Sequence, residues 1–145
     1  MCHASANTFF IPQKKGNIVN ITANVFRGFP GMAHTGAARA GVENLTKTLG
    51  QEWAQYKIRV NAIAPGTIAS SGLDSYPDIM KTFLKKAEEK NLMDRFGTPK
   101  DIANAVVFLA SPLSSYISGI TIPVDGLEHL SGDRMELFNM IKALI

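Results

Sequence analysis

The spacing of apolar residues changes period along this chain. Short β-branched runs alternate with longer stretches in which apolar positions recur every three to four residues. Residues 18–21 (IVNI), after a Lys-Gly-Asn turn, and residues 58–63 (IRVNAI), ahead of the Pro65-Gly66 breaker, predict strands, and Thr121–Val124 predicts a third. Residues 1–12 predict a helix with Cys2, Ala6, Phe9 and Phe10 at helical spacing and no capping residue at its start. A long helix is expected over 33–55, with Val42, Leu45, Leu49 and Trp53 on one face and Gly36, Ala37, Ala40 and Gly41 allowing close approach. Residues 78–91 alternate Ile79, Met80, Phe83, Leu84 and Ala87 with Lys81, Lys85, Lys86, Glu88 and Glu89, an amphipathic helix. Thr98-Pro99-Lys100-Asp101 supplies an N-cap, a Pro at N1 and an acidic N3 for the next helix, and a last helix is expected over about 133–145.

Strand, helix, strand order implies α/β units with a right-handed parallel crossover. A parallel sheet needs both faces covered, and three strands make a small one, which raises the expectation of a missing half. No repeat, low-complexity stretch or linker divides the chain, so residues 1–145 are expected to form a single, incomplete domain.

Composition narrows the class. The chain has 145 residues, 46% of them apolar and 19% charged, which excludes disordered and collagen-like classes. The longest apolar run, 105–110, is far below the ~18–20 residues that span a bilayer, and no secretory signal follows Met1, so no membrane partner is expected. A net charge of +3 arises from scattered Lys and Arg, which gives nucleic-acid binding no support. Cys2 is the single cysteine, which fits a reducing compartment, and a cytoplasmic location is expected. The three histidines, His3, His34 and His129, lack metal-ligand spacing.

Four segments in order resemble the C-terminal half of the short-chain dehydrogenase/reductase family: KGNIVNIT (15–22), TGAARAGVENLTKTL (35–49), EWAQYKIRVNAIAPGTI (52–68), and RFGTPKDIANAVVFLASP with SSYISGITIPVDG (95–126). HTGAARAG (34–41) is most similar to the trans-2-enoyl-CoA reductase branch and its 2,4-dienoyl-CoA reductase relatives. The resemblance implies an α/β fold, the C-terminal part of a Rossmann-type doubly wound parallel sheet, lacking the N-terminal dinucleotide-binding strands. The family's Gly-rich TGxxxGxG turn, where backbone N–H groups hold pyrophosphate, and its NNAG element are both absent. Met1 falls partway along a family helix, so the chain is expected to be truncated.

The family's catalytic Ser, Tyr and Lys fall at Thr22, Thr35 and Arg39. An aliphatic hydroxyl is too weak an acid to replace a phenol, and Arg39 stays protonated: it can hold a ribose hydroxyl or stabilise negative charge but cannot relay a proton. Carbonyl reduction needs a proton delivered to oxygen. Enoyl-thioester reduction needs only hydrogen-bond donors for the enolate before the α-carbon is protonated, and Thr22, Asn24 and Thr35 are the candidate donors. An equal alternative is that Thr35 caps its helix and Asn24 lies in a polar turn. By resemblance, Pro65, Gly66, Thr67 and Ile68 form the family's cofactor-binding PG motif, in which backbone groups of Ile68 meet the nicotinamide carboxamide and Ser70 a phosphate, while Lys81, Lys85 or Lys86 approach CoA phosphates or simply form a solvated face. His34 is a possible donor or a turn residue. Leu127 stands where the family has a second glycine, and Pro123 requires a sheet edge.

The expected function is an NADP(H)- or NAD(H)-dependent, enoyl-CoA reductase-like oxidoreductase acting on an acyl-CoA-type substrate, a homo-oligomer in its family form, and inactive as these 145 residues alone. The alternative is a non-catalytic remnant or interaction protein that uses the family's dimerisation helices. The uncovered edge at 18–21 predicts self-association. The final Ala-Leu-Ile does not resemble the peroxisomal Ser-Lys-Leu address.

Overall fold

The computed structural model describes residues 1–71, 77–89, 91–131 and 141–143. The elements run α1 (Cys2–Ser5), continued by a π-helical turn (Ala6–Phe10), β1 (Gly16–Ile21), α2 (Ala33–Glu52), a 3-10 turn (Ala54–Tyr56), β2 (Ile58–Pro65), α3 (Asp78–Glu89), α4 (Pro99–Ala110), β3 (Thr121–Val124) and a short α5 (Glu128–Ser131). The three strands form one parallel sheet in the order β1-β2-β3. Ile18 lies opposite Val60, and Ala64 opposite Pro123. Proline is tolerated there because β3 is an edge. The expected last helix lies largely outside the described residues.

Successive residues of β1 and β2 point to opposite faces. Ile18, Ile58 and Val60 pack with Ala6, Leu49, Trp53 and Tyr56 on the α2 side. Each fully buried Leu or Ile there contributes roughly 1.5–3 kcal/mol. Asn17 and Arg59 point the other way, and both donate to the Leu109 carbonyl at the end of α4, at 2.6 and 2.8 Å. α2 and α4 therefore cover opposite faces while the strand order keeps advancing in one direction, so the two crossovers have opposite hands. Only one of them can obey the right-handed preference.

Four expectations about faces need correction. Leu45 is 39% exposed, and Thr46 takes its place in the buried stripe. The Thr46 hydroxyl donates to the Val42 carbonyl and accepts from Asn20 Nδ2 at 3.0 Å, so a buried hydrogen bond decides the helix's rotation. Ala37, Ala40 and Gly41 are exposed, and the close approach holds at Gly36, where a Cβ would lie 2.9 Å from the Phe29 Cβ, and at Gly50, where one would lie 3.1 Å from the Gly119 Cα. Phe9 is exposed, because the π-helical turn moves it off the Cys2–Ala6–Phe10 face. On α3, Lys81, Lys85, Lys86 and Glu89 are exposed, but Glu88 is half-buried and accepts from the Phe96 N–H at 3.2 Å. The side chains of Ile79, Met80, Phe83 and Ala87 lie outside the description.

α4 begins as the sequence predicts. Thr98 and Asp101 form a reciprocal capping box with Pro99 at N1. Arg95 grips the Asp101 carboxylate with two bonds of 2.9 and 3.2 Å. Arg95 and the Thr98 donors hold the Asp101 carboxyl well below the usual carboxylate range. A depressed native pKa stabilises above the ordinary value near ~4 and is lost as pH falls through the native one. Acid unfolding is therefore expected to show a stability loss below about pH 4 that Asp101→Asn removes, measured by urea denaturation across pH. Thr98→Ala is expected to cost about 1 kcal/mol in the same assay. Leu127 adopts φ 71°, a left-handed conformation that costs about 1–2 kcal/mol for a residue with a Cβ. Leu127→Gly is accordingly expected to raise the unfolding free energy from urea denaturation, by up to about 1 kcal/mol after glycine's larger chain entropy is subtracted.

Candidate functional site

Parallel strands all end on the same side, and the residues that follow β1, β2 and β3 meet there. After β1, the Thr22 N–H and hydroxyl both donate to the Ile63 carbonyl, at 2.8 and 3.1 Å. Asn24 continues this path by donating its N–H to the Pro65 carbonyl at 3.1 Å. After β2, Gly66 passes so close to Asp125 that a Cβ would lie 2.7 Å from the Asp125 Cα. Here glycine is required by the approach of another backbone. The Thr67 N–H then donates to Glu128 Oε1 at 2.8 Å.

The loop runs on beside Gly97. The Gly97 N–H donates to the Thr67 carbonyl and the Ala69 N–H to the Gly97 carbonyl, at 3.0 and 2.8 Å. In this parallel bridge Ile68 is the partner of Gly97, yet its own N–H and C=O make no hydrogen bond to the described residues. A free donor and acceptor on one extended residue is the complement of a primary amide. Ser70 is exposed just beyond.

After β3, Asp125 gathers four donors. Its Oδ2 accepts from Asn24 Nδ2 at 2.7 Å, and from the His129 N–H and His129 Nδ1 at 2.8 Å each, while its Oδ1 accepts from the Leu127 N–H at 3.1 Å. The Asp125 side chain is 3% exposed. A buried carboxylate is tolerable when both of its oxygens accept hydrogen bonds. The i,i+4 spacing of Asp125 and His129 was the sequence signal for this pair, but spacing does not show that the carboxylate is buried.

The sequence candidates separate into two groups. Thr22, Asn24, Pro65, Gly66 and Thr67 are directly linked through the contacts above, and Ile68 follows them. Thr35 and Arg39 lie on α2: Thr35 is half-buried, its hydroxyl bonded to no described residue and not a cap, since Met32 holds the N-cap position, and Arg39 is exposed, reaching the Ile21 carbonyl at 3.4 Å. His34 is exposed beside them. Glu43, one turn beyond Arg39, was not anticipated. Burial pushes its carboxyl up, against the pull of Lys47 and the Thr22 hydroxyl, and its Oε1 is buried with no hydrogen-bond partner. A cavity of about 120 Å³ opens between Gly97 and Gly126, too small for a dinucleotide or acyl-CoA. Among the described residues no cluster of side chains could hold a metal, and no helix is long and apolar enough to cross a membrane.

Comparison with known proteins accounts for this arrangement. Residues 1–126 match the family described as enoyl-(acyl carrier protein) reductase. Peroxisomal 2,4-dienoyl-CoA reductase [(3E)-enoyl-CoA-producing] of Mus musculus is 41% identical over 94% of this chain and 45% of its own length. The 3-oxoacyl-[acyl-carrier-protein] reductase of Thermotoga maritima is 40% identical over 81% of this chain and 47% of its own. The chain thus spans about half the length of the curated relatives it matches. Among solved structures, the citronellol catabolism dehydrogenase of Pseudomonas aeruginosa superposes with a TM-score of 0.73 at 38% identity, over 88% of this chain and 48% of that one. A protein from Agrobacterium tumefaciens with bound NADP superposes with a TM-score of 0.76 at 35% identity, covering 87% and 51%. With its parallel sheet, its Pro65-Gly66 loop and its matched relatives, the chain belongs to the short-chain dehydrogenase/reductase family of oxidoreductases.

Proposed function

We propose that this chain is the nicotinamide- and substrate-facing half of an NADP(H)- or NAD(H)-dependent, enoyl-CoA reductase-like enzyme acting on an acyl-CoA-type substrate. One observation carries the reading: the position that would hold a phenol holds Thr35, and the lysine position holds the exposed guanidinium of Arg39. Neither exchanges a proton near neutrality, so protonation of a carbonyl oxygen has no donor there. Reduction of a conjugated double bond asks less of these residues. The Thr35 hydroxyl and the Arg39 guanidinium stabilise negative charge on a thioester oxygen by hydrogen bonding.

The residues present fit a nicotinamide, since the free N–H and C=O of Ile68 match its carboxamide and Arg39 can hold a ribose hydroxyl. When bound, the dinucleotide would supply hydride. The peptide groups of Pro65, Gly66 and Thr67 orient that face, and Ser70 offers a hydroxyl to phosphate. Lys81, Lys85 and Lys86, all exposed on α3, give CoA phosphates a positive surface. The Thr22 hydroxyl is already donated to Ile63 and the Asn24 Nδ2 to Asp125, while the Asn24 Oδ1, buried without a partner among the described residues, can only accept, so Thr35 is the better placed neutral donor. That commitment of Thr22 also favours a second reading, a non-catalytic chain that keeps the fold for interaction. The exposed Ala37, Ala40 and Gly41 of α2, and the exposed Val107, Leu113 and Tyr116, support homo-oligomer formation. The single cysteine, Cys2, supports a cytoplasmic location.

Two measurements test this. The 145-residue chain titrated with NADPH or NADH is expected to give no saturable fluorescence change at micromolar cofactor, and saturation there would overturn the half-site reading. Joined behind the amino-terminal half of a 2,4-dienoyl-CoA reductase, the chain is expected to oxidise NADPH with an enoyl- or dienoyl-CoA at least ~100-fold faster than with a 3-oxoacyl thioester. Comparable rates would reject the substrate assignment, and no rate with any substrate would favour the non-catalytic reading.

A further inference from the structure

Reducing a conjugated thioester leaves one demand that Thr35 and Arg39 cannot meet: the α-carbon must receive a proton. The ends of β1, β2 and β3 place few proton-exchanging groups within reach. Glu128 is engaged with the Thr67 N–H, Arg27 reaches the Leu130 carbonyl at 3.4 Å, Glu43 lies on the α2 side beyond Thr22, and His34, beside Thr35, is exposed with no described residue holding its ring. His129 differs from these. Its Nδ1 is 2.8 Å from Asp125 Oδ2, its side chain is 24% exposed, its ring lies 5.6 Å from that of Phe26, and its Nε2 makes no hydrogen bond to a described residue.

The geometry points to His129 as the proton donor of this site, with Asp125 as its positioning residue. This inference rests on the enoyl-reductase reading and deepens it. An ionised carboxylate only accepts, so Asp125 fixes the proton of the neutral imidazole on Nδ1 and leaves Nε2 as the exchanging atom. The same Asp125 oxygen accepts from Asn24, whose N–H is bonded to Pro65. His129 is thereby tied to the loops after all three strands, where ligands of open parallel sheets bind. A bound reduced nicotinamide dinucleotide would supply hydride to the β-carbon, and the displaced π electrons would form the thioester enolate. The Nε2–H bond of the imidazolium then breaks, an α-carbon–hydrogen bond forms, and neutral His129 keeps its Nδ1–H on Asp125. Solvent restores the Nε2 proton through the exposed part of the ring.

The test needs neither cofactor nor thioester. In the ¹⁵N-histidine-labelled 145-residue chain, long-range ¹H–¹⁵N spectra are expected to show His129 almost wholly as the Nδ1–H tautomer, with His3 and His34 as ordinary mixtures. Diethyl pyrocarbonate is expected to modify His129 at Nε2, and Asp125→Asn to mix its tautomers. A mixed tautomer at His129 in the unsubstituted chain would overturn the Asp125 role. An Nε2 protected from the reagent would overturn proton donation, because a merely structural histidine keeps the tautomer without offering the nitrogen. Should Asp125→Asn not fold, the comparison of His129 with His3 and His34 in one sample decides alone. Failure of the enoyl-reductase reading appears separately, in the substrate comparison above.

Discussion

Everything in this molecule hangs on β2. A central parallel strand must be hydrogen-bonded along both edges and covered on both faces, and β2 alone meets that demand here, with Val60, Ala62, Ile63 and Ala64 fully buried. Its ladder to β1 runs from Ile58 to Ile63 and its ladder to β3 from Ala62 to Pro65. Because the partners overlap at its C-terminal end, all three strands finish together. The loops carrying Asn24, Gly66 and Asp125 are forced into contact as a consequence.

At that end apolar packing gives way to polar linkage. Asp125 is buried and would be costly if unpaired, yet it accepts from Asn24, Leu127 and His129. Gly66 is held against the same residue by backbone contact. The polar cluster thus positions the Pro65-Gly66 loop as well as the segment after β3. Local strain accompanies it, since Leu127 takes a left-handed conformation to keep its N–H on Asp125.

The opposite arrangement holds on the sheet's outer parts. β1 has no described partner on its far side, and Ile21 is 45% exposed. α4 turns Val107 outward, and Leu113 and Tyr116 follow it in the next turn. The matched relatives are about twice as long as this chain.

Much of this was legible in residue order. Strand ends at Thr121 and Val124, the capping box at Thr98 and Asp101, and the edge position of Pro123 follow from local chemistry, since caps, proline and β-branched runs act over a few residues. Periodicity placed α2 but misjudged its rotation. Leu45 and Thr46 are one residue apart, and the choice between them was made by Asn20, distant in sequence, whose amide needed a buried partner. The same limit hid the site. Asp125 and His129 could be paired by spacing, but the burial of that carboxylate, its bond to Asn24 and its pressure on Gly66 arise only when three strand ends converge. Local propensity is written in neighbouring residues, whereas desolvation and long-range hydrogen bonds exist only once the chain has folded.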